Sequence, residues 1–473
     1  MVGARLGTRC KAAGAAAFVG LLVLTAPSLA HGQDLELVTT LTHAQAPPGD
    51  MSRFGSGLAI SGGTLFVGAK NEAGANEYSG AVHVFSDAGW SEVALLKSSV
   101  DSDMAFGSTI ALDGDRALIS NGAIDGGLVW FFEKDAGVWT EKLRIQGLVN
   151  EAFGHRLALR GDLAFIAAPR LGTGRVLVYR RQAGAWAEAQ VLTADDAQEG
   201  DFFGYSVAFD GERLAVSAPG NFLGPTRTGV YTFSLAGEAF VQDGKLTGDD
   251  PASSWFGAAV GVSKGTLIVN APPVYQSTSI GKALIYQRLG EQWTLERELS
   301  VEGEASFPDD LAFEGDTAWF GARTNEPRAF NAYAFQRTDE GWHAAQQLRF
   351  PDLGPSELTS WAFQGGTLAF GSSNGPNMDS VRVYRSADYR SPGGGATGST
   401  NDAGSAAQGA AAAGVGASSS GGAAAAGPSS RSESSETGGC TFAPSQRSHT
   451  TPWELAALAL AVAVTRQRSL RRG

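Results

Sequence analysis

The chain has 473 residues, of which 63 are Gly and only two are Cys, and its formal net charge is −12. Gly is about twice as frequent as the usual ~7% but follows no three-residue period, which excludes collagen, and two thiols exclude a disulfide scaffold or a cysteine-rich zinc protein. Both ends of the chain are basic, so the body between them is more acidic than the whole, and a body of that charge argues against a nucleic-acid partner.

The first predicted element is a leader. Arg5, Arg9 and Lys11 precede an apolar run from Ala12 to Ala26, and Ser28-Leu29-Ala30 places small residues at −3 and −1 of a cleavage site. This pattern predicts a secretory signal peptide over residues 1–30. Cys10 lies ahead of the apolar run, where a lipoprotein leader does not place it, and departs with the peptide. The mature chain then keeps one thiol, Cys440, and a body free of Cys suits an oxidising compartment.

Next comes a repeat. Phe54-Gly55 recurs at Phe106-Gly107, Phe153-Gly154, Phe203-Gly204 and Phe256-Gly257. A decayed copy is Phe307-Pro308, and a seventh register starts at Glu357, giving intervals of 52, 47, 50, 53, 51 and 50 residues. Five residues after each start is a small residue flanked by apolar ones (Ala59, Ala111, Ala158, Ala208, Gly261, Ala312, Ala362). Gly follows at the eighth place in six copies and at the ninth in the fifth, and an apolar run leads to a residue such as Ala69, Ala168 or Ala218 at the fifteenth. This is the pattern of a β-meander: a short strand, a tight turn that needs positive φ and hence Gly, and a second strand apolar throughout and so covered on both faces. A third strand follows (Gly80 to Phe85, Gly229 to Phe233). A fourth carries an aromatic and, six residues on, an aliphatic: Trp90/Leu96, Trp139/Ile145, Trp186/Leu192, Phe240/Leu246, Trp293/Leu299, Trp342/Leu348. Even spacing predicts that both point to one face of that strand.

The seventh copy ends after three strands, at Val381-Arg382-Val383-Tyr384, whereas Leu35 and Leu41 at the front of the chain repeat the six-residue spacing. The fold predicted for residues 34–386 is therefore all-β: a seven-bladed β-propeller closed by an N-terminal strand, with no free edges left to aggregate. An open β-solenoid is the alternative, and it leaves the displaced strand unexplained.

These residues resemble FG-GAP repeat proteins, the family that includes the integrin α-subunit propeller. The stretch Leu192-Thr193-Ala194-Asp195-Asp196 leading to Gly200-Asp201-Phe202-Phe203-Gly204-Tyr205-Ser206-Val207-Ala208, and Val216-Ser217-Ala218-Pro219, look like the bacterial form of the repeat. The family's Asp-rich calcium loop between the first two strands is missing: the Phe-to-small-residue spacing of fifteen leaves only a tight turn, and Asp113 with Asp115 cannot supply six to eight oxygens. No metal and no cofactor is carried over, and the acidic clusters ahead of Phe-Gly (Asp101/Asp103, Asp195/Asp196/Asp201, Asp249/Asp250) are read as solvated loops and turn formers, with weak cation binding as the alternative.

Strand alternation puts the long connections on one face: those after Ala69, Ala218 and Ala271. Long loops on a rigid scaffold are where recognition concentrates, so Tyr78, Asn221, Phe222, Arg227 and Tyr275 are the candidate ligand-face residues. Arg160-Gly161-Asp162 spells an integrin-recognition tripeptide but falls on the Gly turn of the third copy, and the turn reading takes precedence. Six His are scattered without metal-ligand spacing, and no strand-to-helix Ser elbow is predicted in the all-β repeat region. His83 and His155 read as structural, and the expectation is that the chain is not an enzyme.

Residues 391–438 are Gly, Ala and Ser with few charges and predict a disordered linker spanning roughly 40 Å on average. Gly438-Gly439-Cys440, a polar spacer, the apolar run Trp453 to Val464 and Arg466, Arg468, Arg471 and Arg472 follow. The tail over 439–473 resembles the myxobacterial MYXO-CTERM sorting signal, which implies a short C-terminal membrane helix and a processing or lipid-attachment role for Cys440. Twelve apolar residues with Glu454 among them are short for a ~20-residue span. The expectation is an exported protein, tethered to a membrane at the cell surface, that binds an extracellular protein or glycan. An exported enzyme with a site in the propeller funnel and a structural envelope component are the alternatives.

Overall fold

The computed structural model describes residues 21–24, 35–43, 52–73, 79–99, 105–122, 126–220, 229–248, 255–273, 281–301, 311–325, 328–350, 358–372 and 379–386. Within them the chain is an all-β seven-bladed propeller. Each blade is an antiparallel meander, as in the first: Phe54–Ser61, Thr64–Ala69, Ala81–Ser86 and Ser91–Lys97. Closure is as the sequence predicts. Leu35–Thr42 pairs antiparallel with Ser380–Ser386, the third strand of blade 7, in the register Leu35↔Ser386 to Thr42↔Ser380. Leu35 and Leu41 are the buried residues of that strand. The Phe307-Pro308 register mark, Glu357, the linker 391–438 and the tail 439–473, with the membrane helix expected in it, lie outside the described residues. Among the described residues no helix is long and apolar enough to cross a membrane. From the apolar run of the expected leader, Leu21–Leu24 forms a strand that pairs parallel with the outer strand of blade 5, Gln292–Val301. It is an outermost addition, so the four antiparallel strands of that blade are complete without it.

There is no single core. The buried side chains fall into layers between neighbouring blades: Phe66, Val82 and Val84 of blade 1 pack with Ile119, Trp130 and Phe132 of blade 2, and the same arrangement recurs round the ring. The Phe of each Phe-Gly seals such a seam. Phe54, Phe106, Phe153, Phe203 and Phe256 are at most 1% exposed. The Gly has two reasons to be there. Gly107 has φ +92°, and a Cβ on it would stand 2.8 Å from the Ala81 carbonyl oxygen of the preceding blade. The repeat's signature is thus an inter-blade joint: an aromatic plug beside a backbone contact too close for any side chain.

A second set of joints circles the opposite end of the ring. The turn between strands one and two presents a Gly N–H, and the last side chain of the neighbouring blade's first strand accepts it. Gly114 donates to Ser61 Oγ (2.9 Å), Gly161 to Asp113 Oδ2 (2.6 Å), Gly315 to Ser263 Oγ (3.0 Å) and Gly365 to Glu314 Oε2 (2.6 Å). Between blades 7 and 1, Gly62 donates to Gln364 Oε1 (3.3 Å). Asp113 acts here as a cap for a neighbouring turn. The Arg160-Gly161-Asp162 tripeptide is held in the same joint: Arg116 donates to the Gly161 carbonyl at 3.0 Å and pairs with Asp162 at 3.4 Å.

One sequence expectation is overturned. The aromatic of the fourth strand and the aliphatic six places on do not share a face. Trp139 packs in the seam between blades 1 and 2, against Phe66, while Ile145 packs in the seam between blades 2 and 3. Trp186 and Leu192 are divided in the same way. The cause is a β-bulge in the pairing of strands three and four, for example between Glu141 and Leu143, which adds one residue and reverses the alternation. The bulge lets one strand contribute to both seams.

Candidate functional site

Because consecutive strands run antiparallel, the connections between strands two and three and from one blade to the next emerge on one face, and the tight turns on the other. The ligand-face residues expected from sequence, Tyr78, Asn221, Phe222, Arg227 and Tyr275, lie outside the described residues, as does Cys440. The described parts of the long-connection face hold three groups of side chains.

The first is an aromatic ledge over blades 3 to 5. His155 and Tyr205 follow their Phe-Gly pairs, and Trp255 precedes Phe256. The His155 and Tyr205 rings are 5.1 Å apart and those of Tyr205 and Trp255 are 4.9 Å apart. All three residues are half-buried. His155 as a residue keeps some exposure, but its Nε2 is sealed and has no hydrogen-bond partner. Burial, and then the charges of Arg156 and Arg170, push its pKa down to about 3, so the ring stays neutral.

The second is a set of acids that fasten loops, Glu151 and Asp201 buried and Asp196 part-exposed. The Glu151 carboxylate is fully buried; Oε2 accepts from Arg175 Nη2 (2.7 Å) and Nε (3.2 Å), and Oε1 from the Leu148 N–H (2.6 Å). Asp201 Oδ2 accepts from the Gln198 N–H (2.8 Å), and Asp196 accepts from the Tyr231 hydroxyl (2.9 Å) and pairs with Lys245. Asp196 and Asp201 thus fasten the loop ahead of Phe203-Gly204, and Asp201 is buried where a solvated loop was expected.

The third is a cluster in blade 1 that sequence reasoning missed. His43 is the first residue after the closing strand of blade 7, Glu72 lies three residues past the second strand of blade 1, and His83 sits inside the third strand. Glu72 Oε2 is 2.7 Å from His83 Nε2 and 3.4 Å from His43 Nε2. The other ring nitrogen of His83, Nδ1, is 3.1 Å from Glu92 Oε1. The side chains of His43, Glu72 and His83 are 9%, 12% and 5% exposed. Phe54 fixes both imidazoles, stacked on His43 at 6.0 Å and edge-on to His83 at 5.3 Å. Burial opposes charge on His83, but hydrogen bonds and charge from Glu72 and then Glu92 prevail and raise its pKa. Burial likewise pushes Glu72 up, yet the His83 hydrogen bond and the charges of His83, His43 and Lys97 hold it below the usual carboxylate range. The residues stand 29 and 11 positions apart, so no local spacing announces them. The one mark in the sequence is a His within a third strand whose neighbours are buried and apolar.

On the opposite face the tight turns of blades 3 to 7 surround a cavity of about 580 Å³ lined by Arg160, Asp210, Lys264 and Glu314 among others. It mixes both signs of charge, and its lining reaches Trp319, Gln346 and Leu35 in blades 6 and 7.

Residues 186–233, which run from the fourth strand of blade 3 to the third strand of blade 4, match the FG-GAP repeat family. The chain carries an FG-GAP repeat within a seven-bladed propeller. No curated protein matches it. Among solved structures it is similar to a protein from Lactobacillus plantarum (16% identity, 62% of this chain and 84% of that one, TM-score 0.45) and to the WD40 domain of Toxoplasma gondii coronin (8%, 76% and 87%, 0.46). It is also similar to a candidate 6-phosphogluconolactonase from Bacteroides uniformis (13%, 63% and 85%, 0.43). At these identities the likenesses show the fold alone. The expectation that the chain is not an enzyme is withdrawn: scattered His exclude only a site written in local spacing, and a Gly-x-Ser-x-Gly run, Gly261-Val262-Ser263-Lys264-Gly265, does stand in the repeat, on a turn between two strands of blade 5. A site assembled from several blades leaves no local motif, as the blade 1 cluster illustrates.

Proposed function

We propose that this FG-GAP propeller is an exported recognition module, tethered to the cell surface through its C-terminal segment at Cys440, that binds an extracellular protein or glycan on its long-connection face. The observation that carries the reading is the ledge of His155, Tyr205 and Trp255, three half-buried rings in tilted contact on that face. Aromatic faces supply contact area at low entropic cost and suit both sugar rings and protein side chains. The loop acids Glu151 and Asp201 fasten the connections beside it, so the ledge is preorganised. The test is binding of the full chain to glycan and matrix-protein arrays, with Tyr205→Ala and Trp255→Ala as variants. Loss of at least tenfold in affinity supports the reading, and unchanged binding contradicts it. Surface protease shaving of wild type and Cys440→Ala, read by C-terminal mass spectrometry, tests the tether: exposure with an end near Cys440 is expected only in the wild type.

An exported enzyme with its site in the funnel is the second reading. The observation favouring it is the 580 Å³ cavity at the tight-turn face, where Arg160, Asp210, Lys264 and Glu314 converge from four blades.

A further inference from the structure

His43, Glu72 and His83 each offer one ligand atom, and these atoms all lie within 4.8 Å of one another. We propose that the three residues bind a borderline divalent metal ion of the zinc class, with Glu92 as the outer partner of His83. The inference is independent of the recognition reading, since it concerns blade 1 and not the ledge.

Four observations carry it. The donor set is two imidazoles and one carboxylate, which suits zinc-class ions and not calcium or magnesium, whose sites are built from oxygen alone. The spacing fits. Metal–ligand bonds of ~2.0–2.2 Å in a tetrahedral site hold ligand atoms about 3.3 Å apart. The His43–Glu72 separation of 3.4 Å already matches, and the His83–Glu72 contact of 2.7 Å has to open by only about 0.6 Å. The second shell is in place as well: a proton on His83 Nδ1 donated to Glu92 at 3.1 Å turns the Nε2 lone pair toward the cluster, the arrangement that orients and strengthens a metal-ligating His. Finally, the ligands are preorganised. Phe54 holds both rings, and Glu72, His43 and His83 come from three separate segments fixed by ring closure and by blade 1.

Charge is in keeping with a cation. Two carboxylates, Glu72 and Glu92, face the site against one ammonium, Lys97, 4.0 Å from Glu72 Oε1. Three protein ligands leave a position for water or for a donor group on a ligand of the same face.

The test is calorimetric titration of the untagged full chain, stripped with chelator and dialysed, with Zn²⁺. One equivalent is expected. Its affinity should fall at least tenfold in His43→Gln and in Glu72→Gln, and about tenfold in Glu92→Gln, while Cys440→Ser leaves it in place. These near-isosteric changes spare the buried His83, and cooperative melting of each metal-free variant checks that it folds. Co²⁺ in place of Zn²⁺ should give visible d–d absorption that His43→Gln abolishes. If the wild type takes up no Zn²⁺, or if the double variant His43→Gln/Glu72→Gln binds it as well as the wild type does, the cluster is an ion pair only and the proposal falls.

Discussion

Blades 1 and 4 put different chemistry in the same place. His83 pairs with Val67 and Tyr231 with Val216, and the two valines each stand thirteen residues beyond the Phe of their Phe-Gly, so the His83 and Tyr231 side chains occupy one slot of the repeat. In blade 4 the Tyr231 hydroxyl donates to Asp196, which Lys245 also reaches, and one donor, one acid and one cation close a network that fastens the incoming loop. In blade 1 the slot holds an imidazole between two carboxylates, and a second imidazole arrives on the connection that brings Asp196 in blade 4. The difference teaches that the repeat fixes the convergence of a third-strand residue with the incoming loop, and that the residue types decide between a fastening and a metal-ligand set.

The comparison can be pressed first through the Phe that both blades share. Phe203→Ala removes a fully buried plug from the seam of blades 3 and 4 and is expected to cost ~3–5 kcal/mol in denaturant unfolding. Phe54→Ala, equally buried, should cost as much and in addition weaken Zn²⁺ binding, because Phe54 holds both imidazoles. Equal zinc affinity in Phe54→Ala and wild type would break the proposed link between plug and cluster.

A second contrast is between the histidines. His83 is surrounded by acids, whereas His155 lies beside Arg156 and Arg170 with its pKa lowered to about 3. Between pH ~6.5 and ~3 the unfolded chain binds a proton at this His that the folded chain refuses, so stability is lost as pH falls through that window. The expected slope from this group is ~1.4 kcal/mol per pH unit, and His155→Phe should reduce the total slope by that amount. A His155→Phe protein whose acid sensitivity equals the wild type's would refute the assignment. The smallest effect belongs to Tyr231→Phe. It removes one hydrogen bond to Asp196 and is expected to cost ~1 kcal/mol while leaving Zn²⁺ binding untouched.

The blades were legible because Phe, Gly and the fifteenth-place small residue each answer a steric demand that recurs at the five Phe-Gly joints: a plug, a close backbone approach, a tight strand. Closure was legible for the same reason, since Leu35 and Leu41 fill the place of a missing fourth strand. The direction of the fourth-strand side chains was not. The bulge that parts Trp139 from Ile145 comes from one unpaired residue, and nothing in the composition of that strand marks it. The blade 1 cluster was hidden by topology, because His43 belongs to the strand that closes the ring and meets Glu72 and His83 only once the ring is shut. Spacing rules read neighbours along a helix or strand, and this site has none.

The most direct test of the claim that blade 1 turns a fastening slot into a metal site is a crystal structure of the zinc-loaded protein with anomalous data at the zinc edge. The account predicts one peak among His43 Nε2, Glu72 Oε2 and His83 Nε2, with the His83–Glu72 contact opened beyond its 2.7 Å. A peak elsewhere, or an unchanged contact with no peak between these atoms, would contradict it.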